Sequence, residues 1–250
     1  MTEDRGQRAV LLLGPTGAGK TPLGELFERR GLPLPGLSKK SCLHFDFGAN
    51  LRRLVERDVP EGGITRGDLD FLRRVLEEGV LLEDEHFPLA RRVFEAFLAR
   101  RAAEVSGDNA GDNAGDNAGD NAGDNAGDNA GDNAGDNVGE SLIVFNGLPR
   151  HVGQAQAVDA IAEIVAVICL RCDESSVAAR IAGNVGGDRL GRIDDDLAAV
   201  RCKLLIYKER TAPLVSHYRT RGATIVTVDV DAQTTPEDVW SRVEQGGGAE

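Results

Sequence analysis

Five consecutive apolar residues, Ala9 to Leu13, run directly into Gly14-Pro15-Thr16-Gly17-Ala18-Gly19-Lys20-Thr21. This G-x-x-x-x-G-K-[ST] pattern after a strand constrains the fold more than any other feature of the chain. Glycines let the backbone curl so that successive N–H groups aim at phosphate oxygens. Lys20 adds a point charge at the terminal phosphates, and Thr21 a hydroxyl beside their metal ion. Leu23 to Arg30 reads as a helix whose positive N-terminal end faces the same anion, and Pro22 is tolerated in its first turn. Gly14, Gly17, Ala18, Gly19, Lys20 and Thr21 are therefore the expected phosphate contacts. The alternative, a purely structural glycine turn, does not account for the strand before it and the helix after it.

The remaining apolar runs fall at Cys42–Phe45, Leu142–Phe145, Ile164–Leu170 and Ala223–Val228. With Ala9–Leu13 they read as buried parallel strands, each followed by a helix-like stretch, which is an α/β domain. Helical segments are expected at Leu51–Arg57, Arg66–Glu78, Glu85–Ala103 and Asp194–Tyr207. Phe87, Ala90, Val93, Phe94, Phe97 and Leu98 keep helical spacing and so belong to the core. A length of 250 residues suits one large domain or two small ones.

Composition excludes several classes. No apolar run reaches about 18 residues and the N-terminus is acidic, so a cytoplasmic location without membrane contact is expected. Cys42, Cys169, Cys172 and Cys202 form no disulfide framework. Cys169 and Cys172 are spaced C-x-x-C but lack a second pair for zinc, so packing is their expected role. His44, His86, His151 and His217 show no metal or triad spacing, and no metal-ligating set is expected.

From Gly107 to Val138 the chain repeats Gly-Asp-Asn-Ala, ending in Gly-Asp-Asn-Val. A period of four matches neither strand alternation nor common solenoid repeats. One alanine per unit buries too little surface to offset ordering entropy, so a disordered loop is expected. A calcium site is the alternative, but the units lack a bidentate glutamate and the nonapeptide spacing. Extending a short connection to about forty residues costs only about 1.6 kcal/mol of closure entropy. Eight of the twelve excess negative charges lie in this repeat, leaving a surplus of four elsewhere. That balance gives no support to nucleic-acid binding.

Three further blocks complete the pattern: Phe47-Gly48-Ala49-Asn50-Leu51-Arg52; Phe145-Asn146-Gly147-Leu148-Pro149-Arg150 with Gln154; and Gly191-Arg192-Ile193-Asp194-Asp195 followed by Arg201-x-Lys203-Leu204, Tyr207-x-x-x-Thr211-Ala212-Pro213-Leu214 and Tyr218. In order and spacing the chain resembles the adenylate kinase family of nucleoside monophosphate kinases over roughly residues 8–240, apart from the repeat. The resemblance implies one kinase domain with five parallel strands in the order 2-3-1-4-5, a monophosphate-binding arm at 47–82, and a short, cysteine-free lid at 183–191. It implies ATP as donor with Mg²⁺, and AMP as acceptor, in a monomer; the alternatives are UMP or CMP as acceptor, a kinase for a small metabolite, and a nucleotide-binding protein with weak or no activity.

By position in that family, Arg52 and Arg150 would hold the AMP phosphate, with Gly48, Leu82, Gly147 and Gln154 around the nucleoside. Arg180 and Arg192 would close over the ATP phosphates with Lys20, and Lys203 would sit at the transferred group. Asp194 and Asp195 would orient the lid guanidinium groups. Five positions depart from the family pattern. Ala49 and Asn146 stand where it has the aspartates that hold magnesium-bound waters, and Asp46 lies close by in sequence. Asn184 replaces a lid arginine, with Arg189 nearby. Lys203 replaces an arginine, keeping charge but not the bidentate fork, and Phe47 replaces a small hydroxyl residue.

Overall fold

The computed structural model describes residues 7–37, 41–106, 141–184, 197–246 and 248–249. The repeat at 107–138 and the expected lid beyond Asn184 lie outside the described residues. Five parallel strands carry the fold: β1 (Gln7–Leu13), β2 (Cys42–Asp46), β3 (Leu142–Asn146), β4 (Ala162–Arg171) and β5 (Thr224–Asp229). Their order is 2-3-1-4-5, as expected, and a two-residue antiparallel strand, β6 (Gly248–Ala249), extends the β5 edge. Each expected strand is present; β1 to β4 run one to three residues beyond their apolar cores, and β5 keeps its length but starts one residue later, at Thr224, and ends on Asp229.

Helices cover both faces of the sheet. On one side α1 (Lys20–Arg30) and α9 (Pro236–Glu244) seal a core of Val10, Leu12, Phe27, Val144, Ile168 and Val239. On the other lie α2 (Phe47–Arg57), α3 (Arg66–Glu78), α4 (Phe87–Ser106), α5 (Val152–Val158) and α8 (Leu214–Thr220). Phe45 of β2 centres this second core, with its ring 5.0 Å from Phe94, 5.1 Å from Phe97 and 5.6 Å from Phe145. Offset and edge-on ring pairs of this kind add about 1 kcal/mol each beyond the area they bury.

Two more helices, α6 (Glu174–Ala182) and α7 (Leu197–Ile206), follow β4. The expected helix through Tyr207 is completed differently: α7 ends at Ile206, and Tyr207–Thr211 form a wider π turn. Strand β1 sits at the centre, hydrogen-bonded to β3 on one side and β4 on the other. The loops leaving the carboxyl ends of β1, β2 and β3 therefore open onto one crevice, the usual ligand position in an open parallel sheet.

Candidate functional site

The crevice is a cleft of about 260 Å³. Its floor is the glycine-rich loop between β1 and α1. Gly17 (φ +76°) and Gly19 (φ +93°) adopt left-handed backbone that side chains rarely enter. A Cβ at Gly19 would also stand 3.0 Å from Nη2 of Arg180. Gly19 begins α1 with no side-chain cap, so the first-turn N–H groups are left for an anion. Lys20 Nζ donates to the carbonyls of Gly14 (2.7 Å) and Pro15 (2.8 Å), which holds the ammonium at the loop mouth.

Of the residues expected in the site, Gly14, Gly17, Gly19, Lys20, Thr21, Gly48, Arg52, Leu82, Gly147, Arg150, Gln154 and Lys203 all line this cleft. Ala18 faces inward instead, 1% exposed in the α1 core. Arg192 lies outside the described residues, as do Arg189, Asp194 and Asp195. Arg180 stands behind the loop rather than in the cleft. Its guanidinium donates to Gly17 O (2.9 Å), Asp231 O (2.8 Å) and Thr234 O (2.7 Å). It thereby ties the glycine turn to the segment between β5 and α9.

The opposite wall carries two arginines of another kind. Among the described residues, the guanidinium groups of Arg52 and Arg150 make neither hydrogen bond nor ion pair. Solvent reaches Arg150 from the cleft mouth. The protein packed around it lowers its pKa from the ordinary arginine value, Asp46 opposes that shift, and Arg210 adds to it. An arginine remains charged throughout. Its main chain is fixed at both ends: Arg150 N–H donates to Gln154 Oε1 (2.9 Å), and Thr211 Oγ1 donates to Arg150 O (2.8 Å).

Gln154 is 2% exposed, and its Nε2 donates to Leu82 O at 2.6 Å. That bond joins α5 to the loop after α3 and leaves the amide one further N–H and one further lone pair. Leu51, Val75, Leu76, Val80 and Leu82 make the adjoining wall apolar.

Sequence reasoning left Asp46 without a direction, and the structure supplies one. Its carboxylate Oδ2 accepts from Thr21 Oγ1 (2.7 Å) and Asn146 Nδ2 (2.8 Å), while Oδ1 accepts the Ala49 N–H (2.8 Å) and caps α2. Two further ties had no signal in the sequence. Glu83 and Arg210 form a bidentate pair, 2.7 Å at each arm, between the loop after α3 and the π turn. Each holds the other charged: Arg210 lowers the Glu83 pKa and Glu83 raises that of Arg210. His151 begins α5, with its ring nitrogen 3.5 Å from the Gln154 N–H it caps.

No family model matches the chain. An adenylate kinase of Thermus thermophilus is 28% identical over 245 residues, covering 96% of each chain, and the enzyme of a second strain matches equally. The chain is thus similar to adenylate kinases over nearly its whole length. An adenylate kinase of Synechococcus sp. is 33% identical over 106 residues, which is 40% of this chain and 53% of that one. A gluconokinase from Sinorhizobium meliloti 1021 superposes with a TM-score of 0.41 at 15% identity, over 97% of this chain and 92% of its own. That looser likeness carries no argument. That similarity, together with the glycine loop and Lys20 on the cleft floor, supports a phosphotransferase. No described helix is long and apolar enough to cross a membrane.

Proposed function

We propose that the protein transfers the γ-phosphoryl group of ATP to AMP, giving two molecules of ADP. One observation carries this reading. Arg52 and Arg150 project into the cleft without a partner among the described residues, opposite a glycine loop that ends in Lys20. Two uncompensated guanidinium groups call for a dianion such as a monophosphate, which each can grip bidentately. The glycine loop and Lys20 take the donor phosphates, so the two phosphates meet end to end between the walls.

Phosphoryl transfer asks little covalent work of a protein. Positioning and charge stabilisation supply the rate. Lys20, Arg52, Arg150 and Lys203 surround the transferred group. Arg180 acts one step removed, by keeping the glycine loop in shape. Leu82 and the apolar wall receive the base, and the remaining N–H and lone pair of Gln154 read its edge. Magnesium bound with ATP neutralises charge on the β- and γ-phosphates, and the Thr21 hydroxyl in the cleft is a fitting ligand for it.

A coupled assay with ATP, Mg²⁺ and each of AMP, CMP, UMP and GMP tests the reading. The highest kcat/KM is expected with AMP. A clear preference for UMP or CMP would move the acceptor, and background turnover with all four would overturn the proposal.

A further inference from the structure

We propose that Asp46 is the carboxylate through which this protein orients the magnesium ion of its nucleotide donor, from the end of β2. The inference rests on the kinase reading above. Ala49 carries no acid and Asn146 no charge, so neither can serve that purpose. Asp46 and Asn146 are register partners at the carboxyl ends of adjacent parallel strands, and their side chains meet at 2.8 Å. An acid on β2 therefore reaches the same point in space as one on β3.

The geometry at Thr21 supports this. Its hydroxyl has one proton, and that proton is donated to Asp46 Oδ2 at 2.7 Å. An oxygen donating to a carboxylate gains electron density, and although Thr21 Oγ1 also accepts from Asn146 Nδ2 at 3.2 Å, it keeps a second lone pair for a hard cation. The carboxylate is itself immobilised, because its other oxygen caps α2 through Ala49 N–H. Capping accounts for Oδ1 but not for Oδ2.

Charge points the same way. Among the described residues lining the cleft, Asp46 is the only acid, facing Lys20, Arg52, Arg150 and Lys203. A carboxylate in a phosphate site repels the substrate, unless a divalent cation lies between them and turns the repulsion into a bridge.

The test is Mn²⁺ binding, followed by electron paramagnetic resonance, to the full-length protein saturated with the β,γ-imido analogue of ATP. Asn caps a helix as well as Asp does, so Asp46→Asn removes the charge and keeps α2. Its Mn²⁺ dissociation constant should rise tenfold to a hundredfold, the usual cost of losing a partner that orients metal ligands, roughly speaking. Metal-free analogue affinity should not fall. Adding Asn146→Asp puts the carboxylate back one strand over and should recover most of the loss. An unchanged Mn²⁺ constant in Asp46→Asn, or a loss that the double variant does not recover, would overturn the inference while leaving the kinase reading intact. Failure of the wild type to bind the analogue with Mn²⁺ would sink both.

Discussion

At Gly24 of α1 the imidazole of His44 lies so close that an added Cβ would meet its Nε2 at 2.2 Å. Replacing a helical glycine by alanine ordinarily gains about 1 kcal/mol. Here the buried ring cannot retreat, so Gly24→Ala should instead lose about 1–3 kcal/mol, the range for overpacked cores. Urea midpoints measure this, and a second change, His44→Ala, should relieve part of the loss. On the proposed reading, Arg150→Ala removes a charge-assisted contact to the acceptor: its KM for the monophosphate should rise and kcat should fall at least about tenfold, with the KM for ATP little changed. That Arg150, Arg52 and Lys20 line one cleft was legible because each sits at a fixed offset inside a motif. Asp46 was not. Cys42, Leu43, His44 and Phe45 are all buried, so β2 has no alternation to show which way its last residue turns. Arg180 hid for a different reason, since a guanidinium that satisfies main-chain carbonyls looks in sequence like one awaiting a phosphate.

Among the elements, α3 runs Arg66–Glu78, the bounds its sequence implies. Thr65 and Asp68 cap each other at the start, and Gly79 leaves the helix at φ +65°. Such ends are local chemistry and can be read. The π turn at Tyr207–Thr211 is not local. It places Tyr207 and Thr211 in the cleft wall and sets Arg210 against Glu83. Spacing alone extended the helix smoothly through Tyr207. The two-residue β6 is too short to leave any pattern. From sequence, the Gly-Asp-Asn-Ala repeat follows α4 and precedes β3 as an insertion, so deleting residues 107–138 should leave melting temperature and specific activity nearly unchanged. Loop-closure entropy changes by only about 1.6 kcal/mol, in favour of the shorter chain. A large drop in either quantity would mean that the repeat packs on the core.

For the whole molecule, strand order came from resemblance to a family rather than from hydrophobic pattern, because five largely apolar strands look alike in sequence. The chain is acidic overall, with a formal charge of −12, yet among the described residues its cleft gathers four cations around one acid. Nucleotide capture should therefore weaken with salt while the fold does not. Raising ionic strength from about 0.05 M to about 0.5 M should increase the monophosphate KM several-fold, with little change in melting temperature. Equal KM values at both strengths would count against an electrostatic cleft. Arg180 joins the curl of the glycine turn to carbonyls more than two hundred residues downstream. An amino-terminal fragment ending with β4 would carry the whole nucleotide motif and lose the struts that brace it, so this binding element cannot be transplanted as a short peptide. It is a property of the finished sheet.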